Sequence, residues 1–320
     1  PQRRVALPGP LVTRAWGLGA LRAPSGYDVV HGTSFALPRR GVPAMTVMVH
    51  DLSWRRYPET TTRRGRRWHE RGLRDALAEA AGIVVPSAAV GDQVHEAGAP
   101  RGSVTVIPHG CDHLPAPDHG AAHRLLVGAG VVGSFVLSVG TLEPRKNLVR
   151  LVHAYRSAVG EMPDPVPLVV VGPQGWGDAG TVLPGPSGSP MRAPPGPWVV
   201  TVGAVPAGAL SALYQRARAL VYVPVDEGFG LPPMEAALAG TPVVASAAVP
   251  SMDGGTDPVC ERVDPLDPDD IARGILHVLD DPAHASRLAG AAAARARSMT
   301  WEVSARAHLE LWAKVAGSPR

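Results

Sequence analysis

The feature that most constrains this chain is a repeated alternation. Short apolar runs rich in β-branched residues end in Gly, Ser, Pro or His, and each gives way to a stretch of helical character. In the first part these runs are residues 27–31, 45–50, 82–86 and 104–108; in the second they are 135–140, 168–172, 198–203, 220–224 and 242–246. Most are apolar throughout rather than alternating, which is the pattern of strands covered on both faces of a parallel sheet. Residues 148–157, 209–217 and 233–239 read as helices between them. Strand-then-helix order repeated in this way predicts an α/β fold with doubly wound parallel sheets.

At 320 residues the chain has room for two such domains. Pro, Asp, His and Gly cluster at 115–120, so the expected division is a first domain over 1–118 and a second over 119–300, with a tail at 301–320. The tail carries an amphipathic pattern that predicts a helix packing back on the first domain. The first domain shows four clear strands and no opening strand, Gly-rich loop and helix; its first strands are expected to lie outside this chain. The Gly- and Pro-rich residues 173–197 read as a long surface loop. With 45% hydrophobic and 18% charged residues a large core is feasible. No apolar run approaches the ~18–20 residues that span a bilayer. Two cysteines, Cys111 and Cys260, exclude a disulfide scaffold and a zinc ribbon and fit a reducing cytoplasm. A net charge of +3 is too small for a general nucleic-acid binder.

Two segments carry the chemistry. Residues 226–235 follow the apolar run 220–224 and contain Glu227, Gly228, Phe229, Gly230, Leu231, Pro232, Pro233 and Glu235. The prolines suit a first helical turn, where a missing N–H costs little. This places Glu227 on the loop and Glu235 in the first turn of the next helix, both at the carboxyl end of a strand, where open α/β sheets bind ligands. The glycines let backbone N–H groups approach an anion at a helix N-terminus. The second segment, 139–147, contains Gly140, Thr141, Arg145, Lys146 and Asn147. Asn147 suits a helix cap. Arg145 and Lys146 then lie beside a positive helix end, an unfavourable grouping unless an anion joins them, and Lys146 is one of only two lysines, with Lys314. Cations suit a diphosphate and carboxylates suit hydroxyl groups. A nucleotide sugar offers both.

With these residues in view, the chain resembles glycosyltransferase family 4, the retaining enzymes of the two-Rossmann-domain GT-B fold. The resemblance rests on 138–147, on Glu-Gly-Phe-Gly-Leu-Pro-x-x-Glu from Glu227 with 241–246, and on His50-Asp-Leu-Ser-Trp with 55–59; weaker matches lie at 106–112, 203–206 and 263–268. It implies two Rossmann-like domains facing a cleft and a hexosyltransferase that moves a sugar from a nucleotide-diphosphate donor without a metal or other cofactor. The form of the motifs is similar to members that use GDP-mannose, with a UDP-sugar next. Carried over by position, Glu227 holds donor-sugar hydroxyls, Glu235 the ribose, and backbone N–H groups at Gly228, Phe229, Gly230 and Leu231 the sugar and phosphate. Gly140, Thr141, Arg145 and Lys146 surround the diphosphate, and His50 lies near the transferred sugar. The implied setting is cytoplasmic, in polysaccharide or glycolipid synthesis, with a carbohydrate, lipid-linked or small-molecule acceptor. Three positions depart from the family pattern: Thr141 stands where many relatives carry Arg, His109 where Asn is usual, and 248–258 lacks the usual Pro-Glu-Val-x-Gly-Asp.

Other readings compete. A sugar epimerase would use the same donor chemistry, and a dinucleotide oxidoreductase would need a G-x-G-x-x-G that no strand here precedes. A non-catalytic sugar-nucleotide binder fits if the chain is a remnant. The acids Asp267, Asp269 and Asp270 read as a helix cap and first turn rather than a metal site. The histidines show no metal spacing along the chain. Residues 54–74 hold eight arginines and two tryptophans. They read as a solvated basic face or as contact with an anionic membrane or a phosphate-bearing acceptor.

Overall fold

The computed structural model describes residues 9–17, 20, 21, 23, 26–38, 44–177, 191–193 and 196–317. The chain divides into two compact units: residues 1–108 with 302–320, and residues 109–301. The division falls earlier than the 115–120 cluster because Asp118 already caps a helix of the second unit, its Oδ1 accepting from the Ala121 N–H at 2.8 Å. None of the described helices is long and apolar enough to cross a membrane.

The first unit is a parallel sheet in the order β1 (Val30–Gly32), β2 (Met45–Met48), β3 (Gly82–Val85), β4 (Val104–Val106). Helices α1 (Gly9–Gly17), α2 (Ser53–Arg56), α3 (Arg63–Glu79) and α4 (Ala88–Glu96) accompany it. Thr62 and Ser87 cap α3 and α4, accepting from the Gly65 and Val90 N–H groups at 3.1 and 3.3 Å. Leu73 and Ala76 bury one face of α3 against Val47, Val49, Ile83 and Val85, while Arg63, Arg64, Arg66, Arg67, Arg71 and Arg74 stay exposed. Burying a side chain the size of Leu73 contributes about 2 kcal/mol, far more than any one exposed charge. The apolar stripe therefore sets which face of α3 meets the sheet.

The second unit is a seven-stranded sheet in the order β11-β10-β9-β5-β6-β8-β7. Its strands are β5 (Val136–Val139), β6 (Leu168–Val171), β7 (Met191–Ala193), β8 (Gly196–Gly203), β9 (Ala219–Tyr222), β10 (Val243–Ser246) and β11 (Glu261–Val263). All are parallel except β7, which runs antiparallel to β8. Helices α5 (His119–Gly128), α6 (Leu148–Glu161), α7 (Ala207–Arg216), α8 (Leu231–Leu238), α9 (Pro268–Asp280) and α10 (Pro282–Ser298) cover it. Alternate residues of each strand serve two cores. Val136, Val170, Val221 and Val244 meet α6 and α9; Leu137, Val169, Leu220 and Tyr222 meet α7, α8 and α10. This two-sided burial explains why the strands read as unbroken apolar runs.

The final helix, α11 (Trp301–Ala316), begins where the Trp301 N–H donates to Asp112 at 2.8 Å. Its Ala307 and Leu311 pack on Met48, Val84 and Ile107 of the first unit. Gly110 is required at the start of α11, because a Cβ there would occupy the backbone of Thr300 and Trp301. Two strands escaped the sequence reading. β11 is only three residues long and carries two charges, and β7 lies inside the segment read as a loop, most of whose remaining residues, 178–190, fall outside the described set.

Candidate functional site

The order of the second sheet reverses between β5 and β9. From β5 the chain builds outward through β6 and β8; from β9 it builds the other way through β10 and β11. Such a switch point opens a crevice at the strands' carboxyl ends. The segments that leave β5 and β9 are 140–147 and 223–230, the two that the sequence singled out.

After β5 the chain turns through a short 3-10 helix, Pro144–Lys146, and enters α6 at Asn147, which takes a left-handed backbone with φ 60°. The Asn147 side chain does not cap α6, contrary to expectation. Its amide donates instead to the Val223 and Pro265 carbonyls at 3.0 and 2.7 Å, tying this turn to the segments after β9 and β11. The Lys146 stem passes over Gly140, its Cδ 3.5 Å from where a Cβ would stand.

After β9, Glu227 meets this turn. Its Oε2 accepts from Lys146 Nζ at 2.6 Å, from Arg145 Nη1 at 3.1 Å and from the Tyr222 hydroxyl at 2.6 Å. Lys146 also donates to the Tyr222 hydroxyl at 2.6 Å, and Arg145 Nη2 donates to Glu143 at 3.0 Å. Burial of Glu227 acts to raise its pKa, but the charges of Lys146 and Arg145, with hydrogen bonds from Lys146 and Tyr222, outweigh it and hold the carboxyl at about 2. The expected grouping of two cations is thus present, and the chain's own Glu143 and Glu227 supply the compensating anions.

Glu235 is the fifth residue of α8, so it lies in the second turn and not the first. Gly230 precedes α8 with φ 100°, and a Cβ there would press on Val249 at 2.5 Å, so the position requires glycine on both counts. Glu235 is buried; its Oε2 accepts from the Tyr214 hydroxyl at 2.7 Å, and its Oε1 lies 3.3 Å from His113 Nε2. Burial raises its pKa; the Tyr214 hydrogen bond and His113 offset this only in part. Phe229 is also buried, its ring edge-on to His109 at 5.2 Å.

The structure brings Arg145, Lys146, Glu227, Gly140 and Tyr222 into one cluster and places Glu235 with Tyr214 and His113. Tyr222, Tyr214, His113 and Glu143 were missed from sequence, because a tyrosine inside an apolar strand or helix is indistinguishable there from core. His50 belongs to the first unit, where its Nε2 donates to the Thr33 carbonyl at 2.8 Å. That unit also holds a cavity of about 780 Å³ with Phe35, Leu37 and Trp68 among its walls and Arg14, Arg64, Arg71, Asp75 and Glu79 as its charged positions. Asp267 caps α9, accepting from the Asp269 and Asp270 N–H groups at 2.9 and 3.2 Å. Away from the Lys146–Glu227 cluster, His277 and His284, which have no metal spacing along the chain, both meet Glu261 Oε2.

Solved structures share this architecture. Anabaena HepE in complex with UDP and glucose superposes with a TM-score of 0.72 at 20% identity, over 95% of this chain and 82% of that one. Sucrose-phosphate synthase from Thermosynechococcus elongatus superposes at 0.71 and 23% identity, over 96% and 80%. Two parallel α/β units with this likeness define the GT-B fold. The family model described as glycosyl transferases group 1 matches residues 133–295, and the one described as glycosyltransferase family 4 matches residues 3–113. The chain belongs to the glycosyl transferases group 1. It is similar to the Escherichia coli O-antigen chain mannosyltransferase B, 32% identical over 90% of this chain and 74% of that protein. It is also similar to a D-inositol 3-phosphate glycosyltransferase of Kineococcus radiotolerans, 33% identical over 67% of this chain and about half (52%) of that protein.

Proposed function

We propose that the chain is a family 4 hexosyltransferase that moves a sugar from a nucleotide-diphosphate donor to a carbohydrate, lipid-linked or small-molecule acceptor, with retention and without a metal. The single observation that carries this is the meeting of Lys146, Arg145 and Glu227 at the carboxyl ends of β5 and β9. GDP-mannose is the first donor to test, since the first relative above is named a mannosyltransferase. A UDP-sugar is the second, since the HepE structure holds UDP and glucose.

In this reading the donor's diphosphate takes Lys146 and Arg145 away from Glu227, and the released carboxylate turns to the sugar's hydroxyls. Glu235, aimed from α8 and braced by Tyr214, takes the ribose. As the anomeric C–O bond breaks, charge builds on the departing phosphate, where the two cations are worth most because the site is largely buried. The acceptor oxygen bonds to the anomeric carbon from the same face, and its proton passes to the leaving phosphate. His50 is assigned to the transferred sugar. The cavity beside α3, where Arg14, Arg64 and Arg71 outnumber Asp75 and Glu79, is assigned to a phosphate-bearing acceptor, and the exposed arginines of α3 to an anionic membrane surface.

A thermal-shift panel of GDP-, UDP- and dTDP-sugars tests the donor, because a ligand that binds the folded state raises Tm by mass action. One base should stand out, and transfer from that labelled donor should follow. Absence of a shift with every nucleotide sugar would overturn the reading. Binding without transfer or hydrolysis would favour a sugar-nucleotide-binding remnant. Pelleting with anionic but not neutral vesicles tests the membrane assignment.

A further inference from the structure

Glu261, His277 and His284 belong to three different elements, which the fold brings together. Glu261 opens the edge strand β11, His277 lies in the last turn of α9, and His284 in the first turn of α10. His284 Nε2 is 2.7 Å and His277 Nδ1 3.2 Å from the same oxygen, Glu261 Oε2. The two imidazoles stack with centroids 4.1 Å apart and planes 12° from parallel. The three donor atoms all lie within 4.8 Å of one another.

We infer that Glu261, His277 and His284 form a binding site for a divalent first-row transition ion of the zinc type. Two imidazole nitrogens and one carboxylate oxygen are a donor set that zinc, nickel and copper accept and that calcium and magnesium do not favour. Bonds of ~2.0–2.2 Å to one ion would spread the ligand atoms to roughly 3.3 Å. The 3.2 Å contact already has about that spacing, the 2.7 Å contact must open by about 0.6 Å, and the half-exposed His277 ring must turn out of the stack, because the in-plane lone pairs of parallel rings do not converge on one ion. His284 is 17% exposed and Glu261 21%, so both are held by their surroundings, whereas His277 at 51% leaves an entry path and room for water ligands. The turn that presents His284 is fixed by Asp281, whose Oδ1 accepts from the His284 N–H at 2.9 Å. One neighbour opposes the ion. Arg287 Nη2 stands 3.5 Å from His284 Nδ1, and metal on Nε2 puts the proton on Nδ1, so that two donors face each other until Arg287 swings into solvent. The bound ion would clip the edge strand to the elbow between α9 and α10. None of its ligands belongs to the Lys146–Glu227 cluster, so the inference stands or falls apart from the donor reading.

The test uses the 320-residue chain freed of any affinity tag and stripped with a chelator. Zinc is titrated by calorimetry, and cobalt(II) by its visible absorption, which reports the ligand set. One equivalent is expected to bind saturably and to raise Tm. His277→Ala, at a half-exposed position that leaves folding intact, and Glu261→Gln should each weaken binding by more than the ~10–100-fold that even outer-shell changes cost. Arg287→Ala should bind zinc at least as tightly as the parent. No saturable zinc binding would overturn the inference. So would unchanged affinity in His277→Ala and Glu261→Gln, which would put the ion on other histidines.

Discussion

Glu227 and Glu235 stand eight positions apart, one on the loop after β9 and the other in the helix that follows it, and both hold the hydroxyl of a buried tyrosine. Their electrostatics are opposite. Glu227 faces Lys146 and Arg145 and is held at about 2; Glu235, with Tyr214 and His113 beside it, is raised above its ordinary value. Burial alone would push both upward, so the difference is made by neighbours that come from another strand-end loop. A carboxylate paired with cations can be exchanged for a phosphate. One held mainly by a neutral hydroxyl is suited to a hydroxyl partner such as a ribose.

The largest test of this contrast is Lys146→Ala. Loss of a cation at the developing phosphate charge is expected to cut turnover by ~100–1000-fold, measured with a labelled nucleotide sugar. Near-normal turnover would break the assignment of Glu227's partners to the donor. Next, Glu227→Ala should abolish most transfer while the free nucleotide diphosphate binds as well or better, because Arg145 and Lys146 are released. Glu235→Ala should instead weaken the nucleotide by ~10-fold or more, the cost of losing a hydrogen bond to a charged group. Equal loss of binding in the two variants would erase the distinction.

The third test is pH. A carboxylate with a depressed folded pKa stabilises the protein above its unfolded value of 4.5, and that stability is lost as pH falls toward about 2. For Glu227 it amounts to on the order of 3 kcal/mol. Glu235, being raised, has the reverse sign: its contribution is present at low pH and is lost as pH rises from 4.5 through its folded value. Urea unfolding of Glu227→Gln and Glu235→Gln across pH should therefore show differences from the parent that slope in opposite directions. Slopes of the same sign would sink the electrostatic account. The smallest effects are expected from the tyrosines. Tyr222→Phe should cost ~0.5 kcal/mol of stability, since Lys146 and Arg145 still hold Glu227, and Tyr214→Phe ~1 kcal/mol, since Glu235 then keeps His113 alone of the two partners described above.

Much of this was legible in the chain. Apolar runs and glycine–proline punctuation located most strands, because strands covered on both faces leave no polar alternation to blur them. The two site segments were legible for a different reason: glycines and prolines that serve a backbone leave a pattern no core needs. What escaped had weak local signals. β11 is short and charged; Asn147 looks like a cap but spans two loops; Tyr214 and Tyr222 look like core. His277 and His284 show no metal spacing because they are brought to Glu261 by the turn between two helices.

By itself, then, the sequence determined most of the strands, which loops carry chemistry and which charges are scarce, since these follow from local pattern and composition. Only the tertiary structure decided that β5 and β9 are neighbours, that Lys146 therefore meets Glu227, and that Glu235 does not share its cations. Strand order is a long-range choice set by how helices cover the two faces of the sheet, and a carboxylate takes its charge state from whatever that choice puts beside it.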